Sequence, residues 1–182
     1  MSHVLVPLAQ GCEELEAITI TDLLVRAGVT VTTCGLDELP VKASRGITII
    51  PDTSIDNVLN ESFDLIVLPG GLPGADHLRD NAKIQALIKK QAADNKYIAA
   101  ICAAPKALAQ AGVLEGKTAT SFPGVLAALD NANITISENA VEIDGNIVTS
   151  RSAGTAMEFA LSLIELLEGK EKREEVNRQL VR

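Results

Sequence analysis

The chain is poor in aromatic residues and has no excess of positive charge. Only 2% of its 182 residues are aromatic, with no Trp, one Tyr and three Phe. A core built instead from Ala, Val, Ile and Leu is common in parallel sheets covered by helices. Sixteen Lys and Arg against 24 Asp and Glu give a net charge of −8. Because nucleic acids and anionic membranes require a basic face, neither is expected as a partner.

Cysteine is also scarce, and long apolar runs are absent. Cys12, Cys34 and Cys102 have no framework spacing, which indicates reduced thiols in a cytoplasmic protein. The N-terminus lacks the basic and apolar segments of a signal peptide. The longest apolar stretch, 98–114, contains polar interruptions and is interpreted as a strand followed by a helix. The two histidines, His3 and His77, form no cluster with cysteine, so no metal site is expected.

Short apolar runs alternate with helical patterns along the whole chain. Strands are predicted at 3–8, 29–34, 46–50, 63–68, 97–101 and 118–122, and helices at 13–27, 83–93, from 105, at 155–167 and from 170. Asp144-Gly145, between alternating Val and Ile residues, predicts a hairpin over 141–149. The alternation predicts an α/β fold with a doubly wound, mostly parallel sheet and helices on both faces. The length suits one domain, 1–182.

In such sheets ligands bind beyond the carboxyl ends of the strands, and Cys102 falls at one of these ends. It ends an apolar run and precedes a helix opened by Pro105, which resembles the strand-to-helix turn of a nucleophile elbow. The positive end of that helix predicts a thiol pKa below the free value. The alternative is an inert core cysteine that acts as a small hydrophobic residue.

Three carboxylates, Glu13, Glu14 and Glu16, crowd the start of the first predicted helix. Capping of the helix at the surface explains Glu13 and Glu14. A carboxyl turned towards the sheet would be desolvated, would have a raised pKa and could share a proton with a thiol. The pattern does not choose among the three.

The pair Gly70-Gly71 follows the predicted central strand. Its backbone N–H groups suit an oxyanion hole, and its conformational freedom equally suits a tight turn. No GxGxxG pattern or Walker lysine is present, so a nucleotide site is not expected.

Taken together, these segments resemble the ThiJ/PfpI superfamily, most closely its Parkinsonism-associated deglycase branch, over almost the full length. The motifs are Gly-Cys-Glu-Glu-Leu-Glu (11–16), Arg-Ala-Gly (26–28), Ser-Arg (44–45), Asp-Leu-Ile-Val-Leu-Pro-Gly-Gly (64–71), Ala-Ala-Ile-Cys-Ala-Ala-Pro (99–105), Ser-Glu-Asn (137–139) and Thr-Ser-Arg (149–151).

The resemblance implies a flavodoxin-like sheet, a homodimer and a set of site residues. It matches Glu16 to the buried glutamate that hydrogen-bonds the nucleophilic cysteine, here Cys102. The other implied binding residues are the oxyanion-type donors Gly71 and Ala103 with the neighbouring Gly70, the arginines Arg26 and Arg45 near the site and dimer interface, and the pocket-lining Ser152 and Ala153.

The implied activities are those of glyoxalases, which convert methylglyoxal to lactate, and of protein deglycases. The partner would be a small aldehyde or a glycated protein, with no cofactor. The alternative is a redox-sensing or chaperone-like protein whose Cys102 oxidises to sulfinic acid with little turnover. Some relatives place histidine directly after the cysteine, where this chain has Ala103, and others supply it from the position of Phe122. The sequence therefore favours a Cys-Glu pair over a triad.

Overall fold

The fold is described from a computed structural model that covers residues 1–181. The strands are β1 His3–Leu8, β2 Thr30–Gly35, β3 Val41–Lys42, β4 Thr48–Ile49, β5 Thr53–Ser54, β6 Leu65–Leu68, β7 Tyr97–Ile101, β8 Thr118–Ala119, β9 Thr135–Ile136, β10 Val141–Asp144 and β11 Ile147–Ser150. The helices are α1 Glu14–Arg26, α2 Ile55–Val58, α3 Gly74–Asp80, α4 Ala82–Ala93, α5 Pro105–Gln110, α6 Ala156–Glu168 and α7 Lys170–Gln179. Two 3-10 turns cover Ala127–Leu129 and Ala153–Thr155.

Seven strands form the main sheet in the order β10-β11-β7-β6-β1-β2-β5. Every neighbouring pair in it is parallel except β10 and β11, which form the predicted hairpin. The carboxyl ends of β1, β6, β7 and β11 therefore meet along one edge. The predicted doubly wound, mostly parallel sheet is confirmed.

Alternate residues of the central strands face two separate apolar layers. On β1, Val4 and Val6 pack with α1 and α6, whereas Leu5 faces the layer that contains α3, α4 and α5. All three side chains are fully buried. Branched side chains on both faces of a parallel sheet explain how a chain with 2% aromatics builds its core.

Local signals mark several helix ends. Gly28 adopts φ +82° just after α1, as expected of a C-terminal stop. The Asn81 side chain accepts hydrogen bonds from two N–H groups at the start of α4. Gly169, at φ +88°, separates α6 from α7. Val176 of α7 is fully buried against the α1–α6 layer, so this last helix docks on the body of the fold.

The shortest elements differ from the sequence predictions. The strand expected at 46–50 is reduced to Thr48–Ile49, and that at 118–122 to Thr118–Ala119. Strands β3, β5 and β9 and helices α2 and α3 were not predicted. Two-residue strands and helices of four and seven residues are too short to produce a readable periodicity. Among residues 1–181, no helix has the length and apolar character needed to cross a membrane.

Candidate active site

Cys102 occupies a strained turn between β7 and α5. Its φ of +62° lies in the left-handed region, which a non-glycine residue adopts only when its surroundings impose it. Those surroundings are two backbone hydrogen bonds. The Cys102 N–H donates to the Ser150 carbonyl at 3.0 Å, and the Cys102 carbonyl accepts from the Phe122 N–H at 2.8 Å. The half-buried thiol is thereby held at the carboxyl edge of the sheet.

Glu16, in the first turn of α1, is fully buried beside this thiol. Its Oε2 accepts a hydrogen bond from the Gly70 N–H at 2.8 Å, and its Oε1 has no conventional hydrogen-bond partner. A Cβ on Gly70 would lie 2.6 Å from the Cys102 Cβ and 2.8 Å from Glu16 Oε2. The missing side chain of Gly70 is therefore what allows the carboxyl and the thiol to approach each other.

Burial controls the protonation of both groups. Desolvation raises the pKa of Glu16 from 4.5 to about 7, although hydrogen bonds from Gly70 and Cys102 oppose the shift. Glu16 is thus a candidate carboxyl that turns towards the sheet, and its pKa is raised. Close to neutral pH it can hold a proton and release it.

The predicted low pKa of the thiol is wrong. Burial raises the pKa of Cys102 from 9.0 to about 12, and the negative charge of Glu16 and its hydrogen bond to the thiol act in the same direction. Helix α5 has only six residues, so its N-terminus offers little compensation. When Glu16 is protonated, its repulsive charge disappears and its O–H can donate to sulfur.

Two backbone N–H groups favour the thiolate. Those of Gly71 and Ala103 hydrogen-bond Cys102 and lower its pKa against the effect of burial. Gly71 has φ +87°, and a Cβ there would lie 2.4 Å from the Glu13 nitrogen, so this close packing requires glycine. Donors that converge at this point can also stabilise an oxyanion formed on a substrate bound to the sulfur.

A comparison with known proteins identifies the family of this chain. Residues 2–166 match the model of the DJ-1/PfpI family. The chain belongs to the DJ-1/PfpI family. The resemblance deduced from the sequence motifs is therefore confirmed.

Several relatives in this family align over nearly the whole chain. The chain is 46% identical to protein dj-1beta of Drosophila melanogaster over 97% of its own length and 95% of that protein. The crystal structure of Drosophila melanogaster DJ-1beta superposes with a TM-score of 0.96, covering 100% of this chain and 98% of that one at 46% identity. This match confirms the flavodoxin-like fold.

A Caenorhabditis elegans relative is named glutathione-independent glyoxalase DJR-1.2. It is 36% identical over 90% of this chain and 87% of that protein. Two Arabidopsis thaliana relatives, DJ-1 homologs A and B, are matched over 45% and 41% of their length.

In this DJ-1/PfpI chain the carboxyl of Glu14 has a structural position that the sequence did not indicate. It is buried, and its oxygens accept hydrogen bonds from the Arg45 N–H at 2.9 and 3.0 Å and from the Ser44 hydroxyl at 3.2 Å. Burial opposes its ionisation, yet these bonds and those of the Glu14 and Ile47 N–H groups hold its pKa below the usual value. The surface-capping interpretation of Glu14 is therefore wrong, because its carboxylate holds the loop between β3 and β4.

The two predicted binding arginines do not meet the thiol within this chain. Arg26 pairs with Asp22 at 2.7 Å, in the last turn of α1. It lies ten residues beyond Glu16, a rise of about 15 Å along the helix. Arg45 has a side chain that is 78% exposed, and its Nε lies 3.8 Å from a Glu13 oxygen. Their binding role stays a prediction.

Ser152 and Ala153 lie at the edge of the site. They follow β11, whose last residue Ser150 supplies the carbonyl that holds the Cys102 N–H. Ser152 caps the 3-10 turn Ala153–Thr155 in a reciprocal pair of hydrogen bonds with Thr155. Their contact with a substrate stays a prediction.

The other two thiols are sequestered in the interior. Cys12 and Cys34 are fully buried, and burial raises their pKa to about 11 and about 12. Within residues 1–181 no group of three or more His, Cys, Asp or Glu residues could hold a metal ion. Phe122 is half-exposed, and its N–H holds the Cys102 carbonyl. Sequence reasoning missed this contact and that of Ser150, because backbone donors and acceptors leave no signal in residue identity.

Proposed function

We propose that the protein is a cofactor-free thiol enzyme that acts on small α-oxoaldehydes or on their early adducts with proteins. The observation that carries the proposal is the fully buried Glu16, with its pKa of about 7, beside the strained Cys102. A nucleophilic thiol needs a group that accepts and returns protons, and Glu16 is suited to that role. The relative named as a glutathione-independent glyoxalase supports the same reaction class.

In this reaction the Cys102 sulfur attacks the aldehyde carbon and forms a hemithioacetal. The N–H groups of Gly71 and Ala103 stabilise the oxygen of the adduct. Glu16 then takes the proton from the former aldehyde carbon and returns one to the neighbouring carbon. The aldehyde carbon is thus oxidised and the ketone carbon reduced, and water releases a 2-hydroxy acid and the free thiol.

Glu16 would carry all of the proton transfers. The chain has two histidines, of which His3 begins β1 at the opposite end of the strand and His77 lies on the exposed side of α3. A single carboxyl with a raised pKa can perform both proton transfers, but only one after the other. We therefore expect slow turnover.

The test compares wild type, Cys102→Ser and Glu16→Ala with methylglyoxal and measures D- and L-lactate separately. We expect wild type to form lactate with one enantiomer in excess. In both variants the rate of lactate formation should fall to that of the uncatalysed reaction. Cys34→Ala, which removes a buried thiol away from the site, is the matched control and should keep its activity. The proposal fails if wild type forms no more lactate than Cys102→Ser.

The same geometry supports a second candidate function, a redox-responsive or chaperone-like protein with little turnover. Glu16 Oε1 is buried without a conventional partner, and a proton on it can donate to an oxygen added to the sulfur. Such a bond would stabilise Cys102 as sulfinic acid. Mass spectrometry after mild peroxide treatment should then show two added oxygens on Cys102 in wild type and further oxidation in Glu16→Ala. Oxidation at Cys12 and Cys34 with Cys102 untouched would exclude this function.

We also propose that the protein is a homodimer. Leu15, Ile18 and Val25 form an apolar stripe on the outer face of α1, and each is at least half exposed. Ile47 and Ile50, on either side of β4, are further exposed apolar residues. A surface of this kind favours association with a second copy.

Light scattering tests the homodimer. Ile18→Glu should halve the measured mass, whereas the control Ile143→Glu, at an exposed position of β10, should leave it unchanged. A wild-type monomer would contradict the proposal.

The proposal includes a single domain over 1–182 and a cytoplasmic location. The location is supported by three free cysteines, since a reactive thiol is preserved where the compartment is reducing. Fractionation of cells that express the tagged chain, together with limited proteolysis, tests both points.

A further inference from the structure

A partly buried ion pair joins the helices α3 and α5. Lys106 Nζ lies 2.6 Å from Asp76 Oδ1, and the side chains of Lys106 and Asp76 are 12% and 37% exposed. Lys106 lies in the first turn of α5, which begins three residues after Cys102. Asp76 lies in the first turn of α3, which begins three residues after Gly71. The reaction proposed above uses neither side chain.

The pair is poorly explained by stability alone. An ion pair whose carboxylate is still partly exposed usually contributes little to stability, because water screens the charges and the long side chains lose rotamer freedom. Fixing the relative position of two elements is an alternative use of such a pair. Asp76 is well oriented for this role, because Arg79 of the same helix also contacts its Oδ1, at 3.1 Å.

The rest of the contact between α3 and α5 is apolar. Ala75 and Leu78 of α3 and Ala107 and Leu108 of α5 are fully buried in the same apolar layer. Apolar burial is non-directional, whereas the ion pair joins two defined atoms. The ion pair therefore supplies a directional contact between the two helices.

We propose that Lys106 and Asp76 are a positioning pair that sets the spacing between the Gly71 and Ala103 N–H donors at Cys102. The first turn of α3 is tied to Gly71, because the Ala75 N–H donates to the Gly71 carbonyl at 2.8 Å. A shift of α3 against α5 would therefore move one donor relative to the other.

The pair acts through the backbone rather than on the sulfur directly. The main influences on the pKa of Cys102 are its burial, Glu16 and the N–H groups of Gly71 and Ala103. Lys106 is not among them. The inference rests on the proposed role of Cys102 as a reactive thiol, but it does not depend on any particular substrate.

The experiment measures the rate at which iodoacetamide alkylates Cys102 as a function of pH. Cys12 and Cys34 are fully buried, so Cys102 is the accessible thiol, and Cys102→Ser provides the blank. The variants are Lys106→Met, Asp76→Asn and the double variant. Alkylation requires no turnover, so this test can fail while lactate formation succeeds, or the reverse.

At any pH below the midpoint, we expect both single variants to be alkylated about tenfold more slowly than wild type. This corresponds to an upward displacement of the pH profile by about one unit, because one charge-assisted hydrogen bond to the sulfur is weakened. The double variant should resemble the single variants, because the pair acts as a unit. Lys83→Met, which breaks the exposed pair of Lys83 with Asp56, is the matched control and should leave the profile unchanged.

Two results would overturn the inference. If Lys106 acted on sulfur by its charge, Asp76→Asn would free that charge and displace the profile downwards, opposite to Lys106→Met. If the pair served only stability, the variants would lower the melting temperature and leave the profile in place. Asp76→Asn is isosteric and decides between these outcomes even if Lys106→Met does not fold.

Discussion

Replacing Glu16 by glutamine should change how the stability of the protein depends on pH. In the unfolded chain this carboxyl has an ordinary pKa of 4.5, and in the folded protein burial raises the pKa to about 7. Below pH 4.5 both states hold the proton. Between pH 4.5 and 7 the unfolded chain loses it while the folded protein keeps it, so the free energy of unfolding falls as pH rises. Above pH 7 both states are ionised and the loss is complete.

The size of the effect follows from the shift. A difference of about 2.5 pKa units corresponds to about 3 kcal/mol at 1.36 kcal/mol per unit. Glutamine carries no charge at any of these pH values and has nearly the same shape. The difference in unfolding free energy between Glu16→Gln and wild type should therefore grow by about 3 kcal/mol in favour of the variant between pH 4.5 and 8.

Urea denaturation of both proteins, in matched buffers with a reductant, measures this difference. Glu14→Gln is the control with the opposite sign, because hydrogen bonds hold the pKa of Glu14 below its usual value. Its carboxylate contributes stability above the unfolded pKa of 4.5, and that contribution is lost only as pH falls below this value, so the control series extends to more acidic pH. If the curves of wild type and Glu16→Gln stay parallel from pH 4.5 to 8, Glu16 is not desolvated as described.

Two further predictions concern packing. Gly70→Ala should lower stability by about 1–3 kcal/mol and slow alkylation of Cys102, because its Cβ would lie 2.6 Å from that residue's Cβ. Gly154→Ala, whose Cβ meets its nearest neighbour at 3.7 Å, should be close to neutral in both assays. Val176→Ala should cost about 2 kcal/mol in urea denaturation because its side chain is fully buried. Arg173→Ala, which removes ion pairs at a side chain 29% exposed, should cost less than about 1 kcal/mol, and the reverse order would contradict the account of α7 docking.

The placement of Cys102 was predictable because it depends on neighbouring residues. An apolar run ends at Ile101, and Pro105 opens a helix, so the residues between them must turn at the carboxyl end of a strand. The parallel sheet was predictable for the same reason, since each strand and helix has its own periodicity. The two-residue strands β3 and β5 have none and were missed.

From the sequence, the choice among the three carboxylates depended on the family resemblance. Only the folded chain supplies a physical reason for that choice. Glu13, Glu14 and Glu16 are close in sequence, but successive residues of a helix point about 100° apart. The docking of α1 on the sheet decides that Glu16 is desolvated and that Glu14 instead reaches the loop at Ser44 and Arg45.

The sequence by itself determined the alternation of strands and helices, the apolar core and the turn at Cys102. Only the tertiary structure decided the protonation of the Cys102 thiol in that turn. The helix N-terminus predicted a low thiol pKa, whereas burial and the facing Glu16 raise it to about 12. It also decided the pairing of Lys106 with Asp76, which lie 30 residues apart. Local patterns report the conformation of a segment, but desolvation and ion pairing depend on what other segments bring to the same point in space.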